Sequence, residues 1–132
     1  MEKHILLVDD DPLVLKSLTR LLSTTRYQIE AVKNGREALE KCSLQTFDLA
    51  ICDIRMPGVD GIEFGKQLRE LDRTRNCMTP LIFITGYASE QAPIEALRLK
   101  AVDYVLKPFD IDQLMSIVSK TLKQSEKTAT PS

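Results

Sequence analysis

Leu49-Ala50-Ile51-Cys52-Asp53-Ile54-Arg55-Met56-Pro57-Gly58 is an apolar run that halts at an acid and then meets a chain breaker. Continuous apolar residues bounded in this way predict a strand buried on both faces, with the Asp53 carboxylate at its C-terminal end. The same grammar recurs along the chain. Ile5-Leu6-Leu7-Val8 stops at Asp9-Asp10-Asp11, Leu81-Ile82-Phe83-Ile84 at Thr85-Gly86, and Val102 to Leu106 at Lys107-Pro108. Tyr27 to Val32 predicts a fifth, weaker strand.

Segments with helical period separate these runs. Asp11 is expected to cap a helix with Pro12 at its first position, and Val14, Leu18, Leu21 and Leu22 follow at helical spacing. Asn34 and Glu37 predict a capping box for a short helix toward Cys42. Phe64, Leu68 and Leu71 mark a third helix, after which Asp72 to Thr79 reads as a solvated connection. Ser89 to about Lys100 predicts a fourth helix, with Pro93 tolerated in its first turn. Asp110 and Gln113 cap the last, whose stripe is Ile111, Leu114, Met115, Val118 and Leu122. Five strands each followed by a helix predict an α/β fold: one doubly wound (βα)5 domain, its parallel sheet covered on both faces. The domain is expected over residues 1–124, with 125–132 a flexible tail or linker stub.

A chain of 132 residues has room for one core, and 43% hydrophobic with 28% charged residues is an ordinary globular balance. Eighteen basic against 19 acidic residues argue against direct nucleic-acid binding, which needs a basic face to neutralise phosphates. The apolar run near the N-terminus is too short for a signal peptide or a membrane span. Cys42, Cys52 and Cys77 have neither CxxC spacing nor a nearby histidine, so reduced thiols in the cytoplasm are expected rather than disulfides or zinc. No GxGxxG or Walker A pattern supports a flavin or nucleotide site.

In an open parallel sheet all strand C-termini share one edge, where ligands usually bind. Asp9, Asp10, Asp53, Thr85 and Lys107 are thereby expected in one pocket of three carboxylates, a hydroxyl and an ammonium. One ammonium is too little charge for three carboxylates, and a hard divalent cation makes up the difference. Oxygen donors without His or Cys point to Mg2+, which accepts a phosphate oxygen as a further ligand. Such a site suits phosphoryl transfer, with an aspartate able to act as nucleophile.

Val8-Asp9-Asp10, Asp53-Ile-Arg-Met-Pro-Gly, Thr85-Gly86 and Lys107-Pro108-Phe109 together resemble the receiver domain of two-component response regulators, over about residues 3–123. The resemblance implies the flavodoxin-like strand order 2-1-3-4-5. It implies that Asp53 is the phosphoacceptor served by a sensor histidine kinase. Asp10 would ligate Mg2+ directly, Asp9 directly or through water, and the Arg55 backbone carbonyl would be the third protein ligand. Thr85 and Lys107 would hold the phosphoryl oxygens, and Tyr104 would swing inward as Thr85 is drawn to the phosphate. The implied outcome is docking of an output domain or effector, or a phosphorylation-dependent homodimer, through the fourth helix, fifth strand and fifth helix.

Other readings stand beside these. Asp11 and Asp110 fit plain helix caps, and Tyr104 also fits an amphipathic ring with a wet hydroxyl at a sheet edge. Lys107 before Pro108 is expected to be held extended and aimed in one direction. Gly86 stands where the family commonly has alanine, which would leave room for a phosphoryl group. Arg55 and Tyr87 would flank the route of a hydrolytic water. The enzyme alternative is a Mg2+-dependent phosphohydrolase of haloacid dehalogenase type. That chemistry needs a second acid two residues after the nucleophile, where this chain has Arg55.

Overall fold

The computed structural model describes residues 2–23, 26–86 and 91–129, with side chains through residue 123. Strands β1 (His4–Val8), β2 (Gln28–Val32), β3 (Leu49–Asp53), β4 (Leu81–Thr85) and β5 (Asp103–Leu106) alternate with five helices. These are α1 (Pro12–Ser23), α2 (Gly35–Leu44), α3 (Gly61–Arg75), α4 (Gln91–Arg98) and α5 (Ile111–Ala129). All four strand pairings are parallel, in the order β2-β1-β3-β4-β5. The central strands β3 and β4 are buried at every residue, which explains their unbroken apolar sequence, whereas the edge strands β2 and β5 carry exposed positions.

Strand alternation divides the core into two layers. Ile5, Leu7, Leu49, Ile51, Ile82, Ile84 and Val105 pack with Leu18 and Leu22 of α1 and Leu114, Val118 and Leu122 of α5. Leu6, Val8, Ala50, Cys52, Leu81 and Phe83 pack on the other face with Ala38 and Cys42 of α2, Phe64 and Leu68 of α3, and Ala92 and Ala96 of α4. Fully burying a side chain of this size contributes roughly 1.5–3 kcal/mol, so the two layers carry the fold.

The caps follow the sequence closely. Asp11 Oδ1 accepts from the Leu13 amide at 2.9 Å, Asn34 Oδ1 from Glu37 at 2.8 Å and Asp110 Oδ1 from Asp112 at 2.8 Å. The reciprocal arm of the α2 box is displaced by one residue, because Glu37 Oε2 accepts from the Lys33 amide at 3.3 Å. Residues 87–90 lie outside the described residues, and with them Ser89 as a start of the fourth helix and Tyr87. α5 continues as helix past Gln124 to Ala129, and residues 130–132 lie outside the description.

One expectation is corrected in part. Arg73, Thr74, Asn76, Cys77 and Met78 are exposed, as a solvated stretch would be, but α3 runs on to Arg75, and Asp72 and Thr79 are 2% and 6% exposed. Asp72 accepts from the Thr79 amide at 2.9 Å, the Thr79 hydroxyl at 2.8 Å and Arg69 Nη1 at 2.9 Å. A carboxylate can be buried when its lone pairs are satisfied and a cation is bound, and both conditions are met here.

Candidate functional site

The three central strands end within one shallow cavity of about 350 Å3, lined by Asp10, Asp11, Asp53, Arg55, Thr85, Gly86 and Lys107. Their arrival there follows from strand parity. Asp9 and Asp53 continue the rows Ile5-Leu7 and Leu49-Ile51, and Lys107 continues the row of Val105, so all three belong to the α1–α5 face. The β1–β2 ladder extends one step further through the Asp9 amide to Val32 O at 3.2 Å, and the Lys107 amide reaches Thr85 O at 2.8 Å.

Lys107 Nζ donates to Asp9 Oδ2 at 2.8 Å and to Asp53 Oδ2 at 3.0 Å. Asp9 is 1% exposed and also accepts from the Asp11 amide at 2.9 Å. Burial pushes the Asp9 carboxyl above the ordinary aspartate range, the Asp53 charge adds to this, and the bonds from Lys107 and Asp11 offset only part of it. For Lys107, burial works against the ammonium, but its hydrogen bonds to Asp9 and Asp53 and their charges outweigh it and hold the group above the usual lysine value. Lys107 therefore stays protonated at neutral pH. The Lys107–Pro108 peptide is cis.

Asp9, Asp10 and Asp53 each offer an oxygen within 4.8 Å of the others. Asp9 and Asp53 are buried and Asp10 is exposed; Asp10 and Asp53 both line the cavity, and Asp9 lies behind them. The donor set is all oxygen. Cys52 turns its thiol to its neighbour's backbone, Sγ to Asp53 O at 3.1 Å, and burial drives that thiol well above the ordinary cysteine value. This set fits a hard cation of the Mg2+ class and is poorly matched to a soft one.

Asp53 is fixed from behind as well. Its Oδ1 accepts from the Arg55 amide at 3.3 Å, and the first residue of α3, Gly61, donates to Ile54 O at 2.7 Å. A Cβ at Gly61 would lie 2.2 Å from the Asp53 carbonyl oxygen, so α3 begins against the backbone of the acid itself. Gly86 is under no such constraint from the described residues, among which a Cβ there would meet only Lys107 Cβ, at 3.8 Å.

Thr85 lines the cavity but continues the row Leu81-Phe83, on the α2–α3–α4 face. Tyr104 is half-buried on that same face, level with Phe83 in the β4–β5 register and outside the cavity lining. Burial raises its phenol. The site thus has a charged half on one face of the sheet and a hydroxyl and an aromatic ring on the other.

Sequence reasoning brought Asp10, Asp53, Arg55, Thr85 and Lys107 to one rim and placed Asp9 beside Asp10. It gave Asp10 the direct metal role and Asp9 a direct or water-mediated one, but gave no sign that Asp9 is the partner of Lys107 while Asp10 is open to solvent. Parity is the signal that distinguishes them, since Asp9 extends the inward row of Ile5 and Leu7.

Residues 5–119 match the family model of the response regulator receiver domain, and the chain belongs to that family. It is 39% identical over 127 residues to the transcriptional regulatory protein ZraR of Klebsiella oxytoca, covering 96% of this chain and 28% of that protein. It is 40% identical over 120 residues to the regulatory protein AtoC of Escherichia coli K12, covering 91% of this chain and 25% of that protein. The chain therefore spans about a quarter of the length of these curated relatives. A CheY-like receiver domain from Methanospirillum hungatei superposes with a TM-score of 0.90 at 30% identity, over 98% of this chain and 100% of that one. The receiver domain is a signalling module of two-component response regulators. No described helix is long and apolar enough to cross a membrane.

Proposed function

We propose that this chain is a phosphorylation-controlled switch that takes a phosphoryl group from a sensor histidine kinase onto Asp53. The observation that carries the reading is Lys107 Nζ held between Asp9 and Asp53 at 2.8 and 3.0 Å, on the wall of a cavity that Asp10 and Thr85 also line. A carboxylate oxygen of Asp53 attacks phosphorus as the bond to the donor's imidazole nitrogen breaks. Lys107 and the Thr85 hydroxyl receive the phosphoryl oxygens, and the Arg55 amide steadies the Asp53 oxygen that does not react. Asp9, Asp10, Asp53 and the Arg55 carbonyl would hold Mg2+. When bound, the ion supplies the charge neutralisation that such a transfer depends on.

The drawing of Thr85 toward the phosphoryl group, with Tyr104 following on the same face, would shift an equilibrium expressed on α4, β5 and α5. Ile94, Leu97, Val102 and Leu106 are exposed there, apolar surface suited to an output domain, an effector or a second copy. Coupling of about 1–3 kcal/mol would alter partner affinity roughly 5–150-fold. Residues 1–124 would form the receiver, α5 continuing past them to Ala129, in the cytoplasm, where the thiols stay reduced. The protein catalyses only its own phosphorylation and dephosphorylation, since Arg55 stands where a phosphohydrolase needs its second acid.

Intact mass after incubation with Mg2+ and a small phosphodonor tests the reading. One phosphoryl adduct is expected on the wild type and none on Asp53→Asn. No adduct on the wild type, or an equal adduct on the variant, overturns it.

A further inference from the structure

Away from the phosphorylation site, Arg69 ties together two backbone carbonyls and a buried carboxylate. Its Nε donates to Leu99 O at 2.8 Å, and its Nη1 to Thr79 O at 2.7 Å and Asp72 Oδ2 at 2.9 Å. Its side chain is 13% exposed. Leu99 and the two residues after it close α4: the Lys100 amide donates to Leu97 O and the Ala101 amide to Ala96 O, each at 3.0 Å, around Lys100 at φ 58°. This is the paired-bond ending in which a left-handed residue follows the helix. α3 ends in the same way, with Asn76 at φ 55° and Cys77 donating to Asp72 O at 3.0 Å. The Arg69 guanidinium spans the two endings.

The packing of α4 is light elsewhere. It buries only the small side chains Ala92 and Ala96, and it exposes Ile94 and Leu97. At its other end, residues 87–90 alone separate Gln91 from Gly86, which lines the phosphorylation cavity. One end of α4 is thus tethered to the site and the other to Arg69.

We infer that Arg69 is a positioning residue of the switch, which anchors the C-terminal end of α4 to α3 so that α4 pivots about Leu99. The inference rests on the phosphorylation reading for its purpose and on the Arg69 geometry for its substance. Leu99 lends the pivot a second hold, because its side chain packs so closely on Gly65 that a Cβ there would lie 2.8 Å from Leu99 Cδ1.

Lysine at position 69 separates anchoring from stability. Its ammonium keeps a positive charge beside Asp72, but it lacks the planar fork that reaches Leu99 O at the same time. Amide hydrogen exchange resolved by NMR on the full chain, for wild type, Arg69→Lys and Arg69→Met, reads the outcome. In Arg69→Lys, exchange at Lys100 and Ala101 is expected to accelerate about tenfold or more, while the β1 and β3 amides stay within about twofold. Arg69→Met, which leaves Asp72 without its cation, is expected to accelerate both sets, the α4 end further. With beryllofluoride and Mg2+, wild-type exchange is expected to change at residues 94–97 and not at Lys100 or Ala101; in Arg69→Lys the change spreads to both. Unchanged Lys100 and Ala101 in Arg69→Lys, or acceleration only in step with the sheet, overturns the anchor. Beryllofluoride that leaves wild-type α4 untouched removes the pivot, whereas the phosphorylation reading stands or falls separately on the Asp53 mass adduct.

Discussion

Replacing Asp53 by asparagine should stabilise the metal-free protein and weaken its response to Mg2+. Asp9, Asp10 and Asp53 present oxygens within 4.8 Å of one another, and Lys107 is the ammonium bonded among them. Two unit charges at that separation repel by about 0.9 kcal/mol in a water-like medium and about 3.5 kcal/mol at an effective dielectric near 20. Asparagine removes this repulsion and keeps one oxygen, which accepts from Lys107 or from the Arg55 amide but not from both, since the two donors reach different oxygens of Asp53. The loss is one of these bonds together with the charge assistance of the other, on the order of 2 kcal/mol. With the larger repulsion, the balance favours Asp53→Asn by about 1–2 kcal/mol without divalent ions, worth several degrees in melting temperature. Mg2+ at about 100 times its dissociation constant adds about 2.7 kcal/mol to the wild type, and less to a variant lacking one charged ligand. Urea unfolding in EDTA and in saturating MgCl2 measures both terms. A variant less stable than wild type in EDTA, or one that gains as much from Mg2+, would refute the electrostatic account.

Gly61→Ala should cost about 2–4 kcal/mol, because its Cβ would press on the Asp53 carbonyl at 2.2 Å and force α3 off the Ile54 carbonyl; urea unfolding and a slower phosphoryl uptake are the readouts. Lys100→Gly should stabilise by about 0.5–1 kcal/mol, since residue 100 sits at φ 58° and glycine adopts that conformation without a Cβ penalty; a lower melting temperature contradicts this. Thiol titration at pH 8 should modify Cys77 first. Cys42 and Cys52 are buried, and burial holds Cys42 at about 12, so roughly one molecule in ten thousand carries that thiolate. The sign follows from burial disfavouring the anion, and prompt labelling of all three thiols in the folded protein would contradict it.

The fold was legible because three of the five strands are uninterrupted apolar runs that end at an acid or a threonine, and those ends are the site. Asp53, Thr85 and Lys107 could be placed without coordinates, since strand termini of a parallel sheet share an edge. Asp72 could not. Its partners are Arg69 one helical turn back and Thr79 beyond the end of α3, and a run of polar residues looks the same whether it meets water or itself. Thr79 gives no sign of burial in sequence, and only the left-handed stop at Asn76 folds the chain back far enough to deliver it. The division of labour between Asp9 and Asp10 was hidden for a smaller reason: it depends on which way one residue at the end of β1 turns.

Asp9 also determines how the site waits. Because it grips the Lys107 ammonium at 2.8 Å while the Asp11 amide steadies it, the cation has a resting berth that would outlast the proposed phosphorylation of Asp53. On that reading the ammonium would not need to be recruited from solvent when a phosphoryl group arrived, nor be lost when it departed. Successive rounds of signalling would start from the same arrangement, with the cost of assembling it met once, when the chain folds.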